Sequence, residues 1–486
     1  MPKVPKARTL IAASLCSLSV MPIGSAFAQT AAPDTRELSA TLHVEPYDFR
    51  LADGSDLAAE RGSFLVPEDR NDPNSRLITI GFVRFRSTNP SPGAPIIYLA
   101  GGPGGSGVDT ARGPRQPIFL ALRAVADVIA LDQRGVGLSN QLPRCRAPAA
   151  MPTAPVLSEA SLTAYYRQTL NRCVGQWRAA GAAINGYTTV QSADDVEDLR
   201  RVLRVPRINL WGISYGTHLA FAILRQYPQS VERVVLSSAE GLEQTVKMPA
   251  DVDAAFGRIE GVVGQNLVAR MRRVHAAMDA HPMDFVFTGQ DGAAHQFRAD
   301  SFAVRQFAGI LAKNPGSYGD LIGLYAALEA GQQQEIAPFL WRYFYAEPLE
   351  MGMSELMDIA SGVSDARLVA ATGQARHSLT GSALNFPMPQ LRGAVAGLDL
   401  GDRFRREVRT NVPTLLYEGL FDVRTPSAEQ ERAVAGFSRL HRIRVVNGGH
   451  DLFEAHPQNA QIISDFFAGR PVDVDELTLP VAAHQP

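Results

Sequence analysis

The sequence predicts an α/β chain: a mostly parallel central sheet with helices on both faces, interrupted by an inserted helical cap. Two patterns carry this. Short apolar runs recur with turn residues directly behind them, and amphipathic segments separate consecutive runs, as a parallel sheet requires. After about Gly241 the strand rhythm stops and helical patterning takes over. It returns only at Val412, as an insertion between consecutive core strands would make it do.

The elements follow in order. Lys3, Lys6 and Arg8 precede a short apolar stretch from Leu10 to Met21, and Ala26-Phe27-Ala28 has the small-x-small form of a signal cleavage site. The apolar stretch is shorter than the roughly 20 residues a membrane span needs. Residues 1–28 therefore read as a cleaved signal, and the product as periplasmic or secreted. Cys16 follows Ser14-Leu15, a poor lipobox, so no lipid anchor is expected. Losing three cations moves the formal charge from −2 to −5. No later stretch is long and apolar enough to span a bilayer.

The first core segment, residues 29–240, carries strand patterns at Leu77–Phe85, Ile96–Leu99, Val128–Leu131, Ile208–Trp211 and Val234–Leu236. A helix is expected from Asp194 to Leu203, with Ser192 and Asp195 as a capping box, and another from Tyr215 to Gln226, stopped by Pro228. The cap, residues 241–405, shows helical patterns at Val262–Ala280, Ser301–Leu311 and Tyr318–Ala330. The second core segment, 406–486, adds strands at Thr414–Tyr417 and Ile443–Val446, and His456 is expected to open the last helix.

Composition narrows the function. The 486 residues are 45% hydrophobic and 20% charged, which excludes a mostly disordered chain. A near-neutral charge with scattered arginines excludes a nucleic-acid binder. Beyond the signal only Cys145 and Cys173 remain. In an oxidising compartment they could close a disulfide loop worth about 3 kcal/mol, the alternative being two buried thiols. No His/Cys spacing suggests a metal, and no cofactor motif is present.

Gly212-Ile213-Ser214-Tyr215-Gly216 fits the G-x-S-x-G pattern, with a buried strand before it and an apolar helix after. A serine on such a turn is exposed as a nucleophile, and the helix N-terminus favours a developing oxyanion. The glycine-rich loop Gly101–Gly107 follows an earlier strand. It lacks the Gly-Lys-Ser/Thr ending of a phosphate loop. Pro103 has no N–H, so the amides of Gly102 and Tyr215 are the expected oxyanion donors. Asp422 and His450 each follow a later strand, giving the order Ser…Asp…His and the expected triad Ser214, Asp422, His450. His218, one helical turn after Ser214, reads as a packing residue. Asp451 adjoins the base on a tight turn, and Asp402 precedes its strand.

Together these residues resemble the proline iminopeptidase and tripeptidyl aminopeptidase branch of α/β-hydrolase serine peptidases. The resemblance rests on Gly101–Gly107, Asp132-Gln133-Arg134-Gly135-Val136-Gly137-Leu138-Ser139, Gly212–Thr217, Leu416–Gly419 with Asp422, and Gly448-Gly449-His450. It implies the α/β-hydrolase fold, export, and release of an N-terminal residue or tripeptide from a short peptide. Ala100 stands where iminopeptidases carry His. Ser361 and Val363 stand where relatives carry cysteine and an acid. Such enzymes hold the substrate ammonium with acidic cap residues. Glu240 and Glu347 are the first candidates here, with Glu243, Glu350, Glu355 and Asp358 also available. The alternatives are a carboxylesterase or other small-molecule serine hydrolase with the same triad, and a non-catalytic binding protein. Serine at position 214 disfavours dehalogenase and epoxide-hydrolase chemistry, which need Asp there.

Overall fold

The computed structural model describes residues 41–290 and 292–480; the expected signal, residues 1–28, lies outside them. Fourteen strands are seen among the described residues. In chain order they are β1 His43–Arg50, β2 Asp56–Pro67, β3 Leu77–Phe85, β4 Ile96–Leu99, β5 Val128–Leu131, β6 Cys145–Arg146 and β7 Ile208–Ile213. They continue with β8 Val231–Ser237, β9 Met283–Thr288, β10 Ala294–Ala299, β11 Glu350–Met351, β12 Thr414–Gly419, β13 Leu440–Val446 and β14 Glu476–Thr478. Ten form one sheet in the order β1-β2-β3-β5-β4-β7-β8-β12-β13-β14. Pairing is antiparallel from β1 to β5 and parallel from β5 through β14.

Strands β4, β5, β7 and β12 are buried along their whole length, which is why they read as mostly apolar runs rather than alternating ones; Asn209 in β7 and Thr414 and Glu418 in β12 are buried polar members. Alternate residues face opposite layers. Ile97, Leu99, Ile129, Leu210 and Leu416 pack with Val196 and Leu219 on one side. Ile96, Tyr98, Val128, Trp211 and Leu415 pack with Phe119 and Ile463 on the other. Helices Thr189–Val202 and Tyr215–Gln226 thus cover one face, and Gln116–Leu122 and Asn459–Phe467 the other.

The insertion after Gly241 is not uniform. Its helices between Pro249 and Phe344 share a hydrophobic cluster with the β9–β10 hairpin, and that cluster takes in Phe421 and Val423. Helix Met353–Ser361 instead packs into the core cluster through Leu356, Met357 and Ile359. The disulfide Cys145–Cys173 is formed, and it anchors β6, which pairs with β11 just before that helix.

Several expectations need correction. The helix expected at Asp194 begins at Thr189, because Thr188 caps it by accepting from the Gln191 N–H. Ser192 and Asp195 are interior, and Asp195 serves as an ion-pair partner of Arg134 and Arg70. Val262–Ala280 is two helices, Pro249–Val263 and Leu267–Ala280, since Gly264, Gln265 and Asn266 all take positive φ. The last helix opens at Asn459, not His456. Strands β1, β2, β14 and the β9–β10 hairpin were not anticipated; β1 and β2 turn at Asp53-Gly54, a hairpin signal in its own right.

Candidate active site

Strand β7 runs straight into helix Tyr215–Gln226 through Ser214, whose backbone sits at φ 54°, ψ −128°. That is a strained conformation for a residue with a side chain. The turn can be this sharp only because its flanks are glycine. A Cβ on Gly216 would overlap the Leu99 carbonyl, and one on Gly212 would come within 2.8 Å of the Gly216 carbonyl. The glycine-rich loop lies alongside: a Cβ on Gly101 would be 3.1 Å from the Ser214 Cβ. Gly102 stands at φ 124° in this loop, and the Gly105 N–H closes it onto the Gly101 carbonyl at 3.0 Å. The amides of Gly102 and Tyr215 have no protein acceptor among the described residues. Asp132 holds the loop's far end. Its carboxylate accepts from Ser106 Oγ (2.7 Å), the Val108 N–H (3.2 Å) and the Leu138 N–H (2.8 Å). The Asp132–Ser139 motif is thus the loop's scaffold.

Asp422 follows β12 and is fully buried. One carboxylate oxygen, Oδ1, accepts from the N–H groups of Arg424 (2.7 Å) and Thr425 (2.9 Å). The other, Oδ2, accepts from Thr425 Oγ1 at 2.6 Å and from His450 Nδ1 at 2.9 Å. Burial alone would raise the Asp422 pKa. The neighbouring His450 and the Thr425 hydrogen bonds outweigh it and hold the carboxyl below its ordinary value. With Nδ1 facing the carboxylate, the His450 Nε2 has no hydrogen-bond partner among the described residues.

Two adjacent residues at the end of β8 tie this pair to the elbow. The Ser214 N–H donates to the Ser237 carbonyl at 3.1 Å, and Ser238 Oγ donates to the His450 carbonyl at 2.7 Å. From the insertion, the Lys313 carbonyl and Asn314 Oδ1 accept from the His450 N–H at 2.9 and 3.1 Å. A Cβ on Gly449 would overlap the Lys313 carbonyl, so this approach requires glycine. Asp451 pairs with Lys313 at 2.8 Å and Asn314 at 2.7 Å, and it is Asp422 that bonds the imidazole. Asp402 is spent on Arg405, with its side chain 77% exposed. His218 is wholly buried, and burial pushes its pKa down to about 4, which fits a packing residue and not a base.

The acidic residues separate by environment. Glu240 is buried and ion-paired with Lys247 at 3.2 Å, whereas Glu347 is exposed on the turn after helix Gln333–Phe344. Glu350 binds Arg144 and Arg146, and Glu243 accepts from Ser364. Helix Met353–Ser361 lies over the glycine-rich loop: Cβ atoms on Gly104 and Gly135 would meet Ser354 at 3.4 Å and Met353 at 2.8 Å. It carries Glu355, which caps its own helix through the Gly352 N–H, and Asp358. Burial, then the nearby charge of Glu240, pushes the Asp358 carboxyl up to about 8.

Sequence reasoning missed Thr425, Ser238 and Asn314. Thr425 was legible as the third residue after Asp422, in an Asx-type turn. Ser238 and Asn314 reach His450 from 212 and 136 residues away, so no local pattern marks them.

Residues 94–457 match the α/β-hydrolase fold family. The chain is 29% identical to serine protease Hip1 of Mycobacterium tuberculosis over 186 residues, 37% of this chain and 35% of that protein. It is 32% identical to the tripeptidyl aminopeptidase of Streptomyces lividans over 187 residues, 36% of this chain and 34% of that one. The match thus spans about a third of the length of these relatives. Among solved structures, a proline iminopeptidase from Mycobacterium smegmatis aligns with a TM-score of 0.40 and 14% identity, over 84% of this chain and 98% of that one. No helix among the described residues is long and apolar enough to cross a membrane. With a matched family stretch that runs from β4 through β13 and takes in the elbow, Asp422 and His450, the chain belongs to the α/β-hydrolase fold family.

Proposed function

We propose that the chain is an exported serine aminopeptidase, releasing an N-terminal residue or tripeptide from short peptides. The observation that carries the reading is the 2.9 Å bond between Asp422 and His450, joined to the Ser214 elbow through the end of β8. In this reading His450 Nε2 takes the Ser214 proton as Oγ attacks the scissile carbonyl. Asp422 fixes the imidazole tautomer and stabilises its cation. The amides of Gly102 and Tyr215 hold the oxyanion. His450 then protonates the leaving amine and activates water for deacylation.

Asp358 supports the peptidase side of the reading. It is the residue on the helix above the loop whose carboxylate has no hydrogen-bond donor among the described residues. An arriving ammonium would draw it into its charged form. The motif resemblance and the similarity to a serine protease and a tripeptidyl aminopeptidase favour the same substrate class. Residues 1–28 are proposed as the export signal, and the helices of the insertion between Pro249 and Phe344 as a lid over the site.

The test compares Pro- and Ala-Ala-Pro-type chromogenic amides, each with a free and a blocked N-terminus, against a short-chain p-nitrophenyl ester. Cleavage of the free-amine amides, lost on blocking and weakened in Asp358→Asn, is expected. Ester turnover without amide cleavage would replace this reading with a carboxylesterase.

A further inference from the structure

Beneath the elbow lies a chain of four buried polar side chains. Tyr215 Oη is 2.9 Å from Thr189 Oγ1, which is 3.3 Å from Ser361 Oγ. Ser361 Oγ is in turn 3.0 Å from His218 Nε2, and His218 Nδ1 is 3.1 Å from the Gly241 carbonyl. Each of the four is at most 1% exposed. The His218 ring also stacks on Tyr215, with centroids 5.3 Å apart and planes at 22°.

The direction of every bond follows from one end. A carbonyl can only accept, so His218 carries its proton on Nδ1. The ring is neutral, since burial holds its pKa near 4, and Nε2 must therefore accept. Ser361 spends its one proton on Nε2 and can only accept from Thr189. Thr189 spends its own on Ser361, so the Tyr215 hydroxyl donates to Thr189. A single one-way relay of donors thus ends at Gly241.

The chain joins two elements that the site depends on. Tyr215 opens the helix behind the nucleophile. Ser361 closes helix Met353–Ser361, whose carbonyl end is further held by Arg405 Nε on the Ser361 carbonyl at 2.9 Å. Asp358 lies one turn before Ser361 on that helix. Its other end rests on Gly104 and Gly135, and its apolar side packs in the core cluster. Among the described residues of the insertion, this helix is tied to the core at both ends.

We infer that Thr189, Ser361 and His218 are positioning residues. Their one-way hydrogen-bond chain fixes the helix bearing Asp358 at a set place relative to Ser214, so that it is a rigid wall of the site and not part of a moving lid. The consequence for turnover rests on the proposed aminopeptidase reading; the bond directions do not.

Two measurements test this. Isotope-labelled histidine, with His218 assigned from the difference to His218→Gln, reports the ring tautomer by nitrogen chemical shift in the full chain at neutral pH. A proton on Nδ1 and a bare Nε2 are expected; a proton on Nε2 overturns the chain. Kinetics then use Thr189→Val, which removes the hydroxyl at nearly constant volume, Thr189→Ser, which restores it, and Ser361→Ala. Thr189→Val and Ser361→Ala should raise KM for free-amine peptide amides about tenfold with kcat little changed, and leave ester turnover untouched. Thr189→Ser should recover the wild-type KM. Unchanged KM in Thr189→Val, or amide and ester kcat falling together, refutes the positioning role. A wild-type protein that cleaves only esters sinks the aminopeptidase reading instead, and the tautomer still decides the chain.

Discussion

Replacing Asp422 by Asn exchanges one oxygen for an NH2 group in a fully buried site whose donors already decide which way the amide must turn. The N–H groups of Arg424 and Thr425 point at Oδ1 at 2.7 and 2.9 Å. The Asn carbonyl oxygen must stay there, because an NH2 group would face two donors. Its Nδ2 then takes the place of Oδ2, facing Thr425 Oγ1 and His450 Nδ1. The Thr425 hydroxyl can rotate to accept. His450 can accept from Nδ2 only by giving up the Nδ1 proton, which moves to Nε2, the nitrogen that must be bare to act as the base. Loss of the right tautomer, with loss of the carboxylate that stabilises imidazolium, is worth about 10⁴ in kcat in Ser-His-Asp sites, or about 5.5 kcal/mol of barrier. Steady-state kinetics on an activated ester and on a free-amine amide measure it, with a thermal melt to confirm the fold. A kcat within about tenfold of wild type would refute the triad assignment.

Two further outcomes follow from packing and charge. The Cys145–Cys173 bridge spans 28 residues, so Cys145→Ser/Cys173→Ser should lose about 3 kcal/mol in urea unfolding, and denatured unreduced protein should show neither thiol; equal stability would mean that the loop is held without the bridge. His275 is 3% exposed, bonded to Tyr325 at 2.8 Å, and pushed down to about 3 by burial and then by Arg305. A histidine with a depressed folded pKa contributes full stability above its free value of 6.5 and loses it as pH falls towards the folded value. Wild type should therefore lose about 2 kcal/mol more than His275→Gln between pH 7 and pH 5; parallel losses would place His275 in contact with solvent.

The parallel half of the sheet was legible because β4, β5, β7 and β12 are buried on both faces and mostly apolar, with Asn209 in β7 and Thr414 and Glu418 in β12 as their polar members. The antiparallel edge was not, since β2 carries Asp56, Glu60 and Arg61 on a strand that is only partly covered. Ser214, Asp422 and His450 could be read from strand ends and chain order. The acids could not be ranked, because what separates Glu240 from Asp358 is a bonded partner: Lys247 ion-pairs with Glu240, and among the described residues no donor hydrogen-bonds the Asp358 carboxylate. Likewise His218 was legible as buried, but its bond to Ser361 spans 143 residues. Nor does local sequence show that helix Met353–Ser361, within the insertion by sequence, packs in the core cluster.

The claim on which the rest depends is that Ser214 is the nucleophile. A fluorophosphonate probe reacts with an activated serine and leaves a covalent adduct that mass spectrometry can place. Wild type should gain a single adduct on the peptide containing Ser214, and lose its hydrolysis of activated ester in step with labelling. Ser214→Ala should stay unlabelled and inactive while melting as wild type does. An adduct on another residue, or near-wild-type turnover by Ser214→Ala, would contradict the account at its centre.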